Sequence, residues 1–117
     1  MVDSKEAEVL LRKTLSPYNT PTDYIASFRT KSSRELALER NRTEGFYVWV
    51  QKYTTEIGGV SIENEKYPGK PYLAAQSRNS NLNETNTPKL MPGKKVWYLK
   101  ADNIESLQHL IDWYKEL

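Results

Sequence analysis

Residues 46–53, with the sequence FYVWVQKY, constrain the fold of this chain more than any other segment. Aromatic and β-branched residues of this kind favour β-strands. The first five residues are apolar on both faces of a strand, so both faces need to be covered by other parts of the protein. We therefore expect this strand near the middle of a sheet.

Two further segments predict strands. Residues 60–63 alternate between apolar and polar after a Gly-Gly turn signal, and residues 96–100 (VWYLK) are again aromatic and β-branched. We expect residues 46–64 to form a β-hairpin and residues 96–100 to form a third strand. For residues 24–28, periodicity does not decide between a short strand and a helical turn.

Two helices are predicted in the first half of the chain. Residues 3–15 have a short apolar face, and Asp3 or Ser4 can cap the first turn. Residues 33–42 follow Ser32 and Glu35 at the spacing of a capping box, which favours a short helix. Charges of both signs alternate around this second segment, as on a solvent-exposed helix face: Arg29, Lys31, Arg34, Glu35, Glu39, Arg40, Arg42 and Glu44.

The end of the chain predicts an amphipathic helix over residues 103–117. Asp102 is the expected N-cap, because Glu105 follows three residues later. Apolar residues then recur every three or four positions, as in a helix packed on a sheet: Ile104, Leu107, Leu110, Ile111, Tyr114 and Leu117.

Together these elements predict a single α+β domain over residues 1–117. The length fits one domain, and the chain lacks the regular β-α alternation of a doubly wound parallel sheet. We expect a mainly antiparallel sheet of about three to five strands, with helices on one face, including the C-terminal helix. The sequence has no cysteine, no long apolar run and no secretory signal, which is typical of a cytoplasmic domain without a membrane span.

Residues 67–95 form a long irregular segment between the second and third predicted strands. Four prolines and several glycines and asparagines interrupt it, and only residues 72–75 predict a brief strand. Stretches of this length without regular structure are uncommon in compact domains. The segment is therefore functional, disordered, or a misread element.

Charge is unevenly distributed along the chain, although the net charge is only +2. Residues 67–101 carry six basic side chains and one acidic side chain, whereas residues 102–117 carry one basic and four acidic side chains. Either these neighbours neutralise each other, or the basic segment presents a surface that attracts anions.

Aromatic side chains are the second feature that suggests a function. Five of them lie on two strands that we expect to pair: Tyr47, Trp49, Tyr53, Trp97 and Tyr98. One face of the sheet covers the core, so some of these rings face outward or lie under the irregular segment. Such rings either fill the core and a dimer interface, or stack on the bases of single-stranded nucleic acid.

Phosphate-binding loops are not recognisable in the sequence. The patterns GxxxxGK[ST] and GxGxxG are absent. Lys70 and Lys94 each follow a glycine, and a flexible backbone beside an ammonium group suits an anion. Such two-residue matches are nevertheless more often ordinary turns.

Catalytic groups are also scarce. His109 has Ser106 and Asp112 within one helical turn, but three residues on one helix face cannot surround a substrate carbonyl. Glu63 and Glu65 point to the same side of a strand, yet Lys66 does not follow them at the spacing of a metal-dependent nuclease. We expect no catalytic residue, no metal site and no cofactor.

The sequence therefore predicts a small non-catalytic binding domain for an anionic partner such as nucleic acid, through phosphate neutralisation and base stacking. The residues expected to contact this partner are Lys70, Arg78, Lys89, Lys94, Lys95, Trp97 and Tyr98. One alternative is a homodimeric protein–protein interaction domain that associates through an aromatic sheet face. Another is a small enzyme whose 67–95 loop closes over Glu63, Glu65 or Asp102.

Overall fold

The computed structural model describes residues 3–18, 21–22, 24–40, 42–66, 90 and 96–117, and for residues 63–66 only the backbone. Within these residues the chain forms helix α1 (Ser4–Thr14), strands β1 (Ser16–Pro17), β2 (Ile25–Arg29), β3 (Glu35–Glu39), β4 (Phe46–Val50), β5 (Val60–Lys66) and β6 (Val96–Ala101), and helix α2 (Ile104–Tyr114). None of the helices in this part of the chain is long and apolar enough to cross a membrane.

The strands form one antiparallel sheet in the order β1-β2-β3-β4-β6-β5. This confirms the predicted α+β fold with a C-terminal helix, although six described strands exceed the three to five expected. Residues 24–28, which periodicity left open, lie largely in a strand rather than a helical turn. The possible strand at residues 72–75 lies outside the described residues.

Both helices cover the same face of the sheet, which we call the core face. Fully buried side chains from both helices and three strands meet there: Leu11, Leu36, Val48, Leu99, Leu107 and Leu110. The predicted apolar stripe of the C-terminal helix is confirmed, because Leu107, Leu110, Ile111 and Tyr114 all have no exposed surface. The opposite side of the sheet, which we call the second face, faces away from both helices.

The N-cap of α1 is one of the residues predicted, whereas the N-cap of α2 lies one residue beyond the predicted one. Asp3 caps α1, because its carboxylate accepts a hydrogen bond from the backbone N–H of Lys5 at 2.9 Å. In α2 the expected cap Asp102 is wrong, and Asn103 accepts from the N–H of Ser106 at 2.8 Å. The backbone N–H of Asp102 instead donates to Gly59, which holds this residue at the end of the sheet.

The predicted helix over residues 33–42 is wrong, because strand β3 occupies this part of the chain. Leu36, Ala37 and Leu38 are all fully buried, which requires cover on both faces of an extended chain. Glu35 does not reach back to close a capping box, since its carboxylate binds Arg29 on β2 at 2.6 Å. Local capping signals are overridden here by burial in the sheet.

The predicted hairpin of residues 46–64 is also wrong, although both of its strands exist. Strand β6 lies between β4 and β5 and pairs antiparallel with each of them. Val96, Leu99 and Ala101 of β6 are fully buried, whereas Ser61 and Ile62 of β5 are exposed. The more apolar strand therefore takes the inner position beside β4, as burial of apolar surface favours.

Candidate functional site

The second face of the sheet carries a small apolar cluster of its own. Side chains from four strands are buried in it, together with one residue of the irregular segment: Ile25, Ala37, Leu90, Trp49 and Val96. Leu90 has no exposed surface and packs against the four strand residues of this cluster, so its side chain covers part of the second face. The polar residues described next border this apolar cluster.

The partly buried carboxylate of Glu39 accepts the first group of polar contacts. Its oxygens accept a hydrogen bond from the Tyr98 hydroxyl at 2.5 Å and another from the Trp49 indole N–H at 3.2 Å. Only 12% of the Glu39 side chain is exposed, so these donors replace water around its charge. Trp49 and Tyr98 are opposite each other in the β4–β6 register, and their rings stack with centroids 4.2 Å apart.

Burial and the neighbouring Glu39 carboxylate both favour the protonated form of the Tyr98 phenol. Burial raises the pKa of Tyr98 well above its usual value, and the bond to Glu39 and the charge of that carboxylate raise this pKa further. Tyr98 therefore remains a neutral donor at physiological pH. Its role in this arrangement is to hold Glu39 in place.

A second group of residues brings two cations to one aromatic ring. The guanidinium carbon of Arg42 lies 3.9 Å from the centroid of Tyr47, and the Lys100 ammonium lies 5.8 Å from it. Both distances fall within the range of cation–π interactions. Gly45 makes room for Lys100, since a Cβ atom at that position would lie 2.7 Å from the Lys100 Cε atom.

Glu44 completes this group, which we call the Arg42 cluster: Arg42, Thr43, Glu44, Tyr47 and Lys100. The Glu44 carboxylate accepts a hydrogen bond from the backbone N–H of Thr43 at 2.9 Å and lies 3.6 Å from the Arg42 Nη2 atom. Hydrogen bonds from the backbone N–H of Thr43 and of Glu44 itself lower the pKa of Glu44, and the charges of Arg42 and Lys100 act in the same direction. The cluster therefore stabilises a negative charge at the protein surface.

Only part of the predicted binding surface falls within the described residues. Five of the predicted contacts lie outside them: Lys70, Arg78, Lys89, Lys94 and Lys95. Trp97 and Tyr98 are neighbours on β6 and therefore point to opposite faces. Trp97 is 9% exposed and belongs to the core beneath the helices, whereas Tyr98 is half-buried on the second face.

The aromatic pattern predicts the pairing of β4 with β6, and the structure confirms it. The rings on the second face are less accessible than that pattern suggests, because Tyr47 is only 7% exposed and Trp49 only 1%. They are covered within a single chain by Arg42, by Leu90 and by each other. His109, predicted on a solvated helix face, is exposed on α2.

Sequence reasoning missed Glu39 and Arg42 because the segment around them was interpreted as a helix. The sequence does contain a signal for their position. From Glu35 to Glu39 the residues read ELALE, in which acidic ends flank an apolar centre in five residues, the length of a short strand. A strand there would have placed Glu35 and Glu39 on the same face.

Comparison with known proteins gives no further guidance, because no protein-family model, curated protein or solved structure matches this chain.

Proposed function

We propose that this chain is a binding domain for nucleic acid, in which the basic segment and the second face of the sheet contact the phosphates together. The observation that carries the proposal is the pair of cations beside Tyr47. Arg42 and Lys100 both lie on the sheet side that the two helices leave uncovered. Lys100 belongs to β6, which begins directly after Lys94 and Lys95 in the sequence.

The distribution of charge between the two sides of the sheet supports this proposal. Acidic residues of α2 and its preceding turn are exposed on the helical side: Asp102, Glu105, Asp112 and Glu116. Since α2 packs on the core face and Lys100 lies on the second face, the sheet separates Glu105, Asp112 and Glu116 from that lysine, whereas Asp102 lies at the end of the sheet. A polyanion approaching the second face would meet Arg42 and Lys100, with the Glu44 carboxylate beside them, rather than the acidic helix.

Phosphate neutralisation is the main mechanism that we propose, with base stacking contributing less. Trp97 is buried in the core, so its ring is not offered to a base. One side of the Tyr98 ring stacks on Trp49, and its hydroxyl is held by Glu39. Affinity should therefore depend mainly on Lys and Arg residues and fall steeply with salt.

The proposal is tested by fluorescence anisotropy of labelled oligonucleotides, single-stranded and duplex, at roughly 50 and 200 mM salt. If the five basic residues Lys70, Arg78, Lys89, Lys94 and Lys95 and the pair Arg42 and Lys100 each neutralise one phosphate, duplex affinity should fall about 6,000-fold over this range. The double substitution Lys94→Glu with Lys95→Glu should weaken binding and reduce the salt slope by about 1.8.

The matched control is Lys5→Glu with Lys13→Glu, which makes the same charge change at two exposed positions of α1. Equal binding by the control, the Lys94/Lys95 variant and the unmodified protein would refute the proposal. Binding that does not respond to salt would refute it as well. A mass of twice the monomer without oligonucleotide affinity would instead favour the homodimeric interaction domain.

A further inference from the structure

The Glu44 carboxylate lies among donors that would remain in place without it. The backbone N–H of Thr43 donates to this carboxylate at 2.9 Å, the Arg42 Nη2 atom lies 3.6 Å from it, and the charge of Lys100 acts on it as well. Backbone N–H groups and basic side chains that converge on one acceptor are a recurring anion-binding arrangement. The donors are thus those of an anion site, and the present occupant is a side chain of the protein itself.

Contacts other than Glu44 hold the two cations in position. The Arg42 guanidinium carbon lies 3.9 Å from the centroid of the Tyr47 ring, and its Nη1 atom is 3.6 Å from the carboxylate of Glu39. The Lys100 side chain runs beside the Gly45 backbone, and its ammonium group lies 5.8 Å from the centroid of the same ring. Displacement of the Glu44 carboxylate would therefore leave a preformed site.

The hydrogen-bonding groups of Arg42 are only weakly satisfied by the carboxylates around them. Both carboxylates lie 3.6 Å from Arg42, which is longer than the 2.7–2.9 Å typical of charge-assisted hydrogen bonds. The Arg42 Nε atom is buried and has no hydrogen-bond partner within the described part of the chain. The Glu44 side chain is 59% exposed, so water competes for its carboxylate and little surface holds it in place.

We propose that the backbone N–H group of Thr43, together with Arg42 and Lys100, binds a phosphate group, and that the Glu44 carboxylate occupies this site in the free protein. A phosphate carries more charge than a carboxylate and offers three acceptor oxygens, which suits two cations and a backbone N–H group. This inference rests on the proposed function only in assigning the phosphate to a nucleic acid. The site itself does not depend on residues 67–95.

The substitution Glu44→Gln tests the effect of the Glu44 charge while leaving Arg42, Lys100 and the backbone N–H of Thr43 in place. The substitution keeps the shape of the side chain but removes the negative charge that opposes an incoming phosphate. Two unit charges about 4 Å apart in water interact by an amount that corresponds to roughly a fivefold change in affinity. We expect Glu44→Gln to bind inorganic phosphate about five- to tenfold more tightly than the unmodified protein.

Backbone amide NMR provides a direct measurement at the site. Inorganic phosphate is titrated into each variant at constant ionic strength, with chloride as the balancing anion. The amide signals of Thr43 and Glu44 should shift and saturate in Glu44→Gln. Adding Lys100→Gln to this variant should bring the affinity back to that of the unmodified protein or below it. Glu105→Gln, an identical change at an exposed position of α2, should leave phosphate affinity unchanged.

Two results would overturn the inference: no saturable shift at these amides in Glu44→Gln, or equal phosphate affinity in Glu44→Gln and Glu105→Gln. Failure of the proposed function has a different signature. Phosphate would then saturate the Thr43 and Glu44 amides, while oligonucleotides would bind equally well with and without the Lys94/Lys95 substitutions. The opposite result is also possible. Oligonucleotides would then need Lys94 and Lys95, while Glu44→Gln would change neither oligonucleotide nor phosphate affinity. In that case the proposed function would stand and the phosphate site would be refuted.

Discussion

The hydroxyl of Tyr114 lies between the backbones of Glu35 and Gln51, where β3 and β4 do not bond to each other directly. We expect that removing this hydroxyl destabilises the whole fold. The hydroxyl donates to the backbone carbonyl of Glu35 at 2.5 Å and accepts from the backbone N–H of Gln51 at 2.9 Å. The Tyr114 side chain is fully buried. One hydroxyl from α2 thus satisfies two backbone groups where the paired strands end.

Tyr114→Phe removes both hydrogen bonds without changing the packing of the ring. A buried backbone group without a partner costs about 1–3 kcal/mol, so two such groups set the upper range of the effect. Partial closure of the strand ends would recover some of this loss. We expect the free energy of unfolding to fall by about 2–4 kcal/mol, and Tm by about 8–16 °C for a domain of this size.

The assay is urea unfolding followed by tryptophan fluorescence, since Trp49 and Trp97 are both buried in the folded chain. An unchanged m-value would show that only stability has changed. Tyr24→Phe is the matched control, because Tyr24 is 56% exposed, and its substitution should change stability by less than about 0.5 kcal/mol. If Tyr114→Phe were as stable as this control, the hydroxyl would not bridge the two strands.

The same hydroxyl gives the unfolding free energy a defined pH dependence. Burial raises the pKa of Tyr114 above its ordinary value of 10.0. Above pH 10 the unfolded chain loses this proton while the folded chain keeps it, so stability falls as pH rises. Below pH 10 both states keep the proton, and this contribution is fully present. Between pH 9 and 11 the free energy of unfolding should therefore fall less in Tyr114→Phe than in the unmodified protein. Tyr98, whose pKa is also raised, adds the same decrease with pH to both proteins.

Two backbone positions allow further tests by the same unfolding assay. Gly59 has a φ of +81°, and a Cβ atom there would lie 2.0 Å from the Ser106 hydroxyl oxygen, so Gly59→Ala should cost about 1–3 kcal/mol. Gly58→Ala is its control, because no atom lies within 4 Å of the added Cβ; equal effects of the two changes would contradict the close approach of Gly59 to α2. Ser33 has a φ of 67°, so Ser33→Gly should raise stability by about 0.5–1 kcal/mol; a loss of stability would mean that its side-chain contact outweighs the backbone strain.

Local patterns predicted individual elements well where one periodicity dominated. The apolar stripe of α2 and the aromatic run of β4 are long enough to define both the element and its buried side. Residues 33–42 contain two competing signals, a capping box and a short apolar centre between acidic residues. Burial on both faces favours the strand there, and burial depends on contacts far away in the sequence.

The order of the strands and the contacts of the Arg42 cluster cannot be predicted from local sequence patterns. The insertion of β6 between β4 and β5 depends on which of β5 and β6 buries more apolar surface, a comparison between segments about 35 residues apart. The hydrogen bond from the backbone N–H of Thr43 to the Glu44 carboxylate depends on a local geometry that no residue pattern specifies. Only the pairing of the aromatic strands, and hence the neighbourhood of Tyr47 and Tyr98, follows from composition.

Strand β6 connects the two proposed anion-binding regions, because the basic segment precedes its first residue and Lys100 of the Arg42 cluster lies near its end. Val96 follows the basic segment, and Lys100 lies four residues further along the same strand, about 13 Å away at the usual rise per residue. Inorganic phosphate can therefore occupy the Arg42 cluster without reaching the start of β6. A partner that contacts both ends must be an extended polyanion, whose affinity would depend on Lys94 and Lys95 as well as on Glu44. Because sites this far apart contribute nearly independently, each set of substitutions tests its own end of the strand.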